Sequence, residues 1–242
     1  SLSYKFNSIN NAYLSLTGGV SAEQFNSSKP ISPLINSVST LFFEDNYMKL
    51  YDRSFIALNY SEELFNGISL FVGLSYERRK ALFNTTDQTF RNEDNDVYTS
   101  NNPLDETAFG VAPFKTHNII KGSVTARINF GQEYLSYPDA KYNVSSDDYP
   151  TLYLGYEKGF GATDSNYNFD QIKARIQQAF NIKDKGKFMY NLKAGKFFNA
   201  DDIAFMDYQH FNGNQTHVST EGNYTNVFNN LGYYSASTND TY

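Results

Sequence analysis

Several residue types are absent or scarce in this sequence, and each absence excludes a class of protein. The 242 residues include no cysteine and no tryptophan, and only 19% of them are charged. Without cysteine, the chain has neither a disulfide framework nor a cysteine-based zinc site. No stretch approaches the ~20 apolar residues that a transmembrane helix needs. The formal net charge of -6 argues against a nucleic-acid partner, because nucleic-acid-binding surfaces are basic.

Aromatic residues, in contrast, are very abundant: the chain has 20 Tyr and 21 Phe. So many aromatic side chains exclude disorder for most of the chain, because they bury surface when the chain folds. Tyr and Phe favour strands, and the low charge suits strands that have one polar and one apolar face. The length fits one large domain or two small ones.

Alternation of apolar and polar residues is the dominant pattern, and a period of two predicts β-strands. The clearest example runs from Ile68 to Tyr76, and the run before it repeats the pattern. Asn66 and Gly67 join these two runs, and both accept the positive φ that a tight hairpin requires. Further alternating runs are predicted as strands at 2–6, 13–22, 117–131, 151–160 and 187–199.

Two other segments are also predicted as strands. The segment Phe169 to Phe180 fits the period of either a strand or a helix. Its neighbours are strands and a turn follows it, so we favour a strand there. The segment Leu34 to Phe43 is strand-like, although its pattern does not show which face is apolar.

The spacing of the strands predicts an all-β fold, an antiparallel transmembrane β-barrel. About eight or nine strands are visible, and many have ten or more residues, whereas a membrane-spanning strand needs about 9–11. Tight turns alternate with long polar connections, which is typical of outer-membrane barrels. We interpret residues 1–242 as one barrel domain or fragment of a larger barrel. Residues 80–116 are predicted to form a long external loop, and residues 200–242 an external or lumen-folded loop.

The polar faces of the predicted strands carry basic residues that we expect to face the barrel lumen. Aromatic residues near the strand ends fit the girdles that lie at both membrane interfaces. The girdle candidates are Tyr47, Tyr51, Tyr76, Phe83, Tyr134, Tyr137, Phe160, Phe197 and Phe198. The lumen-facing candidates are Lys121, Arg127, Lys173, Arg175 and Lys193.

The most distinctive loop motif is MDYQHFNGNQT, at 206–216. Gly213 lies between two asparagines, which predicts a turn with positive φ. We expect this loop to fold inward, so that its Asp207 meets Lys173, Arg175 or Lys193; a plain exposed loop is the alternative. The motif residues singled out are Asp207, His210, Asn212, Gly213 and Asn214.

Metal and catalytic motifs are weak. His210 and His217 have Asp201, Asp202 and Asp207 near them in sequence, but their spacing matches no standard zinc pattern. Asn92 to Asp96 (NEDND) carries clustered carboxylates, yet lacks the glycine and the distal glutamate of a calcium loop. We therefore interpret both as polar loops and predict no metal and no cofactor. No nucleophile elbow or phosphate-binding loop is present, so an enzyme is not predicted.

Four blocks of sequence carry a resemblance to a known family. They are the segment from Asn46 to Asp87, the segment from Asp147 to Phe160, the segment from Ala194 to Thr216, and the final YYSASTNDTY. These blocks resemble the barrel region of a family of Gram-negative outer-membrane proteins that carry a carboxypeptidase-regulatory-like domain. The resemblance implies a barrel similar in plan to those that assemble or translocate outer-membrane proteins. It implies no catalytic residue.

Together these patterns predict an integral protein of the cell outer membrane with a transport, membrane-assembly or surface-scaffold role. Its expected partners are outer-membrane lipid and proteins of an outer-membrane complex. The main alternative is a soluble β-rich module that binds carbohydrate through its Tyr, Phe, Asn and Asp residues. A barrel hydrolase is a third possibility, which needs a Ser-His pair that the sequence does not place. The loop-like end suggests a piece of a longer protein.

Overall fold

A computed structural model describes residues 1–90, 98–144, 148–218 and 226–242. The alternating segments form strands, as predicted. The strands of the described part are β1 (Leu2–Asn7), β2 (Ala12–Gln24), β3 (Leu50–Phe65), β4 (Ile68–Ala81), β5 (His117–Asn129), β6 (Glu133–Ser136), β7 (Lys141–Val144), β8 (Thr151–Gly161), β9 (Phe169–Asn181), β10 (Lys187–Phe198), β11 (Gln209–His210) and β12 (Ser237–Thr238). Eight of them form one antiparallel sheet in the order β1-β2-β3-β4-β5-β8-β9-β10. The all-β, antiparallel prediction is therefore confirmed.

The remaining strands form two small hairpins beside this sheet. β6 pairs with β7 in the connection between β5 and β8, and β11 pairs with β12 near the end of the chain. Helix α1 (Pro33–Phe43) lies between β2 and β3. Short 3-10 turns occur at Ser165–Tyr167, Lys183–Lys185 and Phe205–Asp207. In the described part of the chain, no helix is long and apolar enough to cross a membrane.

The predicted turns and the ambiguous strand are confirmed. Gly67 has a φ of 78° between β3 and β4, and Gly186 has a φ of 128° between β9 and β10. Both values lie in the region that favours glycine. The segment Phe169 to Phe180, whose pattern fits the period of either a strand or a helix, lies in strand β9.

The prediction of a strand at Leu34 to Phe43 is wrong, because this segment is helix α1. Pro33 occupies the first turn, where its missing N–H costs nothing and its fixed φ suits a helix. The buried Asn36 then ties the helix to the chain beyond it. Its Oδ1 accepts from the backbone N–H of Met48 at 2.7 Å, and its Nδ2 donates to Asn46 Oδ1 at 3.1 Å.

Residues paired across an antiparallel ladder lie on the same side of the sheet, so the pairing defines two faces. One row of paired residues is apolar and crosses six strands: Leu14, Tyr60, Val72, Val124, Tyr156 and Ile172. The adjacent row belongs to the opposite face and is mostly polar: Ser15, Asn59, Gly73, Ser123, Glu157 and Gln171. These two surfaces are called the apolar face and the polar face below.

The buried core lies on the polar face. There, residues of the long connections cover the strands, and Phe25, Phe114 and Met206 pack with Ile119 and Phe169 of β5 and β9. The core also includes Tyr51 and Phe197, which are 7% and 4% exposed. These two residues therefore do not belong to the predicted interfacial girdles.

The apolar face is exposed. Leu74 is 53% exposed, Ile172 55% and Leu192 64%. The distribution is thus the reverse of that in a soluble sheet, where the apolar side faces the core.

The sheet is open within the described residues, because β1 pairs only with β2 and β10 pairs with β9 alone among the strands. The last residue begins to cover the β10 edge. The N–H and C=O of Tyr242 each hydrogen-bond to Gly195, both at 3.0 Å.

Candidate functional site

Arg79 is the centre of a cluster of charges on the polar face. It is 1% exposed, and the alternation of β4 places it on the same side as Glu77. Its Nη1 and Nη2 donate to the two carboxylate oxygens of Asp207 at 2.5 and 3.1 Å. Its Nε donates to Glu77 Oε2 at 3.0 Å. This fork geometry is the strongest that a guanidinium offers to a carboxylate.

Three further residues complete this cluster. Arg53 Nη2 lies 2.6 Å from Glu77 Oε1, and Lys121 Nζ lies 3.1 Å from Glu157 and 3.3 Å from Asp207. We call the six residues the ionic network: Arg53, Glu77, Arg79, Lys121, Glu157 and Asp207. Within these six residues three cations face three carboxylates, and Lys173 adds a further cation beside Glu157 at 2.9 Å.

Asp207 enters the network from outside the sheet. It ends the 3-10 turn at 205–207, where its N–H donates to the carbonyl of Ala204 at 2.8 Å. Met206 beside it is buried in the core. Burial alone raises the pKa of Asp207, but the charges of Arg79 and Lys121 outweigh it and hold that pKa below its ordinary value. The charged Asp207 thus fixes the segment after β10 to the sheet.

The predicted partners of Asp207 were wrong in identity. Its carboxylate meets Arg79 and Lys121. Lys173 pairs with Glu157 at 2.9 Å instead, and Arg175 donates to Asn191 Oδ1 at 3.0 Å. The segment containing Asp207 nonetheless lies against the polar face, so the alternative of a plain exposed loop does not describe it.

The predicted lumen-facing residues share the polar face. Arg127, Tyr153, Arg175 and Lys193 are directly paired in sequence across β5, β8, β9 and β10. We call Arg127, Arg175 and Lys193 the basic row. Lys121 and Lys173 lie on the same face, nearer to the ionic network. That this face lines a lumen stays a prediction.

The basic row differs from the network in its partners. Arg127 Nη2 donates to Ser69 Oγ at 3.1 Å, and Lys193 Nζ donates to Asn226 Oδ1 at 2.5 Å. Arg175 donates to the side chains of Asn191 and Gln177. Within the described ranges, none of its three cations has a carboxylate at ion-pair distance.

A cavity of about 280 Å³ lies between part of this row and the segment after β10. We call it the basic cavity. Its basic lining residues are Lys173, Arg175 and Lys193. Its other lining residues include three tyrosines, one histidine and several small polar side chains: Tyr153, Tyr208, Tyr242, His210, Asn26, Ser27 and Ser28.

His210 is buried at the edge of this cavity, 6% exposed. Its Nδ1 lies 2.7 Å from Ser237 Oγ, and its ring meets Phe205 edge-on at 4.9 Å. Burial lowers its pKa to about 4, so the ring is neutral near pH 7. Its Nε2 has no hydrogen-bond partner in the described part of the chain.

The other motif residues hold the segment together rather than line the cavity. Asn212 accepts from Asn26 Nδ2 at 3.0 Å, and Asn214 donates to Asn229 Oδ1 at 3.0 Å. The prediction of positive φ at Gly213 is wrong. Glycine is required there by close approach, since a Cβ would lie 2.2 Å from the carbonyl oxygen of Gly232.

The metal hypotheses find no geometry to support them. Among residues 1–90, 98–144, 148–218 and 226–242, no group of three His, Asp or Glu side chains is placed to hold an ion. His210 binds Ser237 instead, and His217 is an exposed residue with a φ of 55°. The NEDND segment, 92–96, lies outside the described residues.

Sequence reasoning missed four members of the ionic network, Arg53, Glu77, Arg79 and Glu157. A signal was present, because Glu77 and Arg79 are in phase with Ser69, Gly73 and Ser75 on the polar side of β4. The partner Asp207 lies 128 residues from Arg79, so no local pattern pointed to their contact.

Comparison with known proteins gives a family and no named relative. Neither the curated proteins nor the solved structures that were compared include a match. The profile of the C-terminal domain of a family of unknown function (DUF5686) matches residues 1–242, which is the whole chain. This chain therefore belongs to the DUF5686 family and corresponds to its C-terminal domain.

Proposed function

We propose that this chain forms the wall of an outer-membrane β-barrel, with its apolar face against lipid and its polar face around an interior. The observation that carries the proposal is the reversal of the sheet. Charged residues as buried as Arg79 and Glu77 lie on one face, while the leucines and isoleucines of the other face are exposed. Lipid favours this arrangement, and water opposes it.

The size of the exposed apolar face supports lipid contact. Apolar rows extend across six strands of the sheet, whereas monomeric soluble proteins rarely expose contiguous apolar patches larger than a few hundred Å². Each Å² of apolar surface left in water costs about 25 cal/mol. Contact with acyl chains removes that cost.

Helix α1 shows the same reversal. Its buried residues are Asn36 and Ser39, whereas Leu34, Val38 and Phe42 are 71%, 44% and 45% exposed. These three are spaced four residues apart and form one apolar stripe. A second element outside the sheet thus presents apolar side chains outward, as expected beside a membrane surface.

Strand length and strand edges are consistent with a membrane barrel. Seven strands of the sheet have 11 to 16 residues, enough to cross a bilayer at a tilt. Lipid requires every backbone group to be paired, so the β1 and β10 edges must be covered by further strands. We therefore propose that the eight strands are part of a larger closed barrel. The resemblance to Gram-negative outer-membrane proteins supports the proposal that this membrane is the outer membrane.

Within such a barrel, the described residues after β10, 199–218 and 226–242, occupy interior space. The segment is fixed by the Arg79–Asp207 pair and by the pairing of Tyr242 with Gly195. A plugged interior favours a transport or membrane-assembly role over an open pore, with other outer-membrane proteins as partners that displace the segment. We propose no enzymatic activity.

The competing proposal is a soluble carbohydrate-binding module. The observation in its favour is the basic cavity, where Tyr153, Tyr208 and Tyr242 line a small polar pocket. This proposal leaves the exposed apolar face unexplained.

Electrophoresis separates the two proposals. The protein that contains this chain together with the strands proposed to complete the barrel is extracted in detergent and run in dodecyl sulfate with and without boiling. A closed barrel stays folded until heated, so the membrane proposal expects the unboiled band to migrate differently. Solubility without detergent, combined with no shift, would refute the membrane proposal and favour the soluble module. No shift in a protein that needs detergent would refute a closed barrel.

A further inference from the structure

The basic cavity has a charge arrangement that an anionic ligand would complete. Arg175 and Lys193 are direct cross-strand partners on β9 and β10. Like charges directly opposite each other destabilise a sheet. No described carboxylate lies within ion-pair distance of either cation, and Glu157 on the same face is paired with Lys173 and Lys121. An anion bound between Arg175 and Lys193 would replace repulsion by two charge-assisted hydrogen bonds.

His210 forms part of the cavity wall without offering a polar atom to a ligand. It is 6% exposed, its Nδ1 lies 2.7 Å from Ser237 Oγ, and its Nε2 is buried away from the cavity surface. The ring therefore gives the wall its shape, and the polar contacts to a ligand fall to the cations and to the exposed serines of the lining.

The aromatic lining adds flat apolar surfaces to these polar groups. The guanidinium of Arg175 lies 5.4 Å from the ring centre of Tyr153, and Tyr208 and Tyr242 form other parts of the wall. Tyrosine combines an apolar ring with a polar tip. The C–H face of a sugar ring packs well against such a surface, while its hydroxyls would bond to the exposed hydroxyls of Ser27 and Ser28.

Gly155 keeps the floor of the cavity low, and Gly195 leaves room for Tyr242, which forms part of the cavity wall. Gly155 and Gly195 flank Lys173 in the ladder. A Cβ at Gly155 would lie 3.0 Å from Lys173 Cγ, and one at Gly195 would lie 2.4 Å from the Tyr242 ring. The volume of about 280 Å³ is at the small end of ligand pockets. It suits a single sugar unit rather than an oligosaccharide.

We propose that the basic cavity binds a phosphorylated monosaccharide, with the phosphate between Arg175 and Lys193 and the sugar ring against the tyrosines. The ligand is either a soluble sugar phosphate or the phosphorylated sugar headgroup of a lipid. This site goes beyond the proposed membrane role. It is built from contacts within the chain, so its success or failure does not depend on what covers the apolar face.

Calorimetric titration of the 242-residue chain in a non-ionic detergent tests the proposal. The probes are glucose 1-phosphate, glucose and inorganic phosphate. We expect saturable binding of glucose 1-phosphate, with much weaker binding of the other two. Arg175→Gln and Lys193→Gln should each weaken it about tenfold or more, since each removes a hydrogen bond between charged groups.

The matched control is Lys196→Gln. Lys196 lies three residues from Lys193 on β10 but on the apolar face, paired with Ile172. This variant removes the same charge, and it should leave the affinity unchanged. Equal weakening by Lys196→Gln would show a non-specific charge effect and overturn the proposal. Far-UV circular dichroism verifies that each variant is folded. Tyr208→Ala provides a test of ring contact that leaves the cations in place, and it should weaken glucose 1-phosphate but not inorganic phosphate.

The remaining outcomes are also decisive. No saturable binding of glucose 1-phosphate would overturn the site, and phosphate binding as tight as that of glucose 1-phosphate would overturn the sugar contact. Mixed micelles that contain a lipid with a phosphorylated sugar headgroup distinguish the two sources. Tighter binding to these micelles than to free glucose 1-phosphate supports a lipid headgroup, and equal or weaker binding supports a soluble sugar phosphate.

Discussion

The ionic network and the basic row lie on the same face of the same sheet, yet they handle charge in opposite ways. In the network, Arg79 is almost completely buried and binds two carboxylates, those of Glu77 and Asp207. In the basic row, Arg175 and Lys193 face each other, and their hydrogen-bond partners among the described residues are neutral. The network is covered by the core of the segment after β10, whereas the row borders a cavity.

The two groups of charges therefore have different roles: one stabilises the fold, and the other is available to bind a ligand. A buried charge must be paired, because removal of one partner leaves the other charge unpaired in a medium that solvates it poorly. The network satisfies this rule inside the chain. The basic row does not, and its cations stay partly solvated in the cavity instead. We therefore assign the network to attachment of the segment after β10, and Arg175 and Lys193 of the basic row to ligand binding.

The largest expected effect comes from breaking the network. Asp207→Asn leaves Arg79 buried with Glu77 as its one remaining strong partner, so we expect the free energy of unfolding to fall by about 3 kcal/mol or more. Urea unfolding in detergent, followed by far-UV circular dichroism, measures this. Asp202→Asn is the control, because Asp202 is exposed in the same segment. An equal effect of the two variants would contradict a structural role for the network.

The next largest effect is a pH dependence of stability that arises from His210 in the segment after β10. The pKa of His210 is about 4 in the folded chain against an ordinary 6.5. The unfolded chain therefore takes up the proton first as the pH falls. Stability is expected to drop between pH 6.5 and pH 4, by about 3 kcal/mol at most.

Unfolding curves at several pH values, compared with those of His210→Gln, measure this dependence. The variant should lose most of the slope in that window, whereas His217→Gln, at an exposed histidine, should keep it. An unchanged slope in His210→Gln would show that the ring does not titrate as its burial predicts.

A smaller effect tests whether the segment is held by shape as well as by charge. Gly213→Ala places a Cβ 2.2 Å from the carbonyl oxygen of Gly232, and overpacking of this kind costs about 1–3 kcal/mol. Gly110→Ala is the matched control, since a Cβ there meets no atom within 4 Å. The same urea unfolding measures both. Equal stability of the two variants would contradict the prediction, because it would mean that the backbone near Gly213 moves to accommodate the added methyl group.

The smallest effect is expected in the basic row. Arg175→Gln removes like-charge repulsion and breaks no ion pair, so stability should stay within about 0.5 kcal/mol or rise. Lys173→Gln removes the pair with Glu157 and should not stabilise the chain. Thermal unfolding of both variants measures the difference. A loss above about 2 kcal/mol in Arg175→Gln would show that the row supports the fold, which would remove the contrast with the network.

The strands and their faces could be predicted because both are local properties. The period of two assigns side chains to faces without any knowledge of neighbours, and the pairing of Val124 with Val72 and with Tyr156 agrees with that assignment. Turns such as Asn66-Gly67 are also local, because Asn and Gly accept the positive φ that a tight hairpin requires. The failure at α1 was also local, since Pro33 was a readable signal for a helix start.

The site could be predicted only in part, because its contacts join distant segments. The alternation placed Arg127, Arg175 and Lys193 on the polar face, as the sheet has them. It did not indicate which cation meets Asp207, a choice that depends on how the segment after β10 folds back across β4 and β5. The close approach of Gly213 to Gly232 is likewise a property of the folded segment alone.

If the chain is part of a membrane barrel, the apolar face contacts lipid and the polar face does not. The chain has no cysteine, so single-cysteine variants accept a fluorescent label at one position. Val124→Cys and Ser123→Cys label adjacent residues on opposite faces of β5. In lipid vesicles, we predict that a lipid-soluble quencher acts on the label at position 124 and that aqueous iodide acts on the label at 123. Quenching of the label at 124 by iodide, without quenching from the lipid phase, would contradict the account.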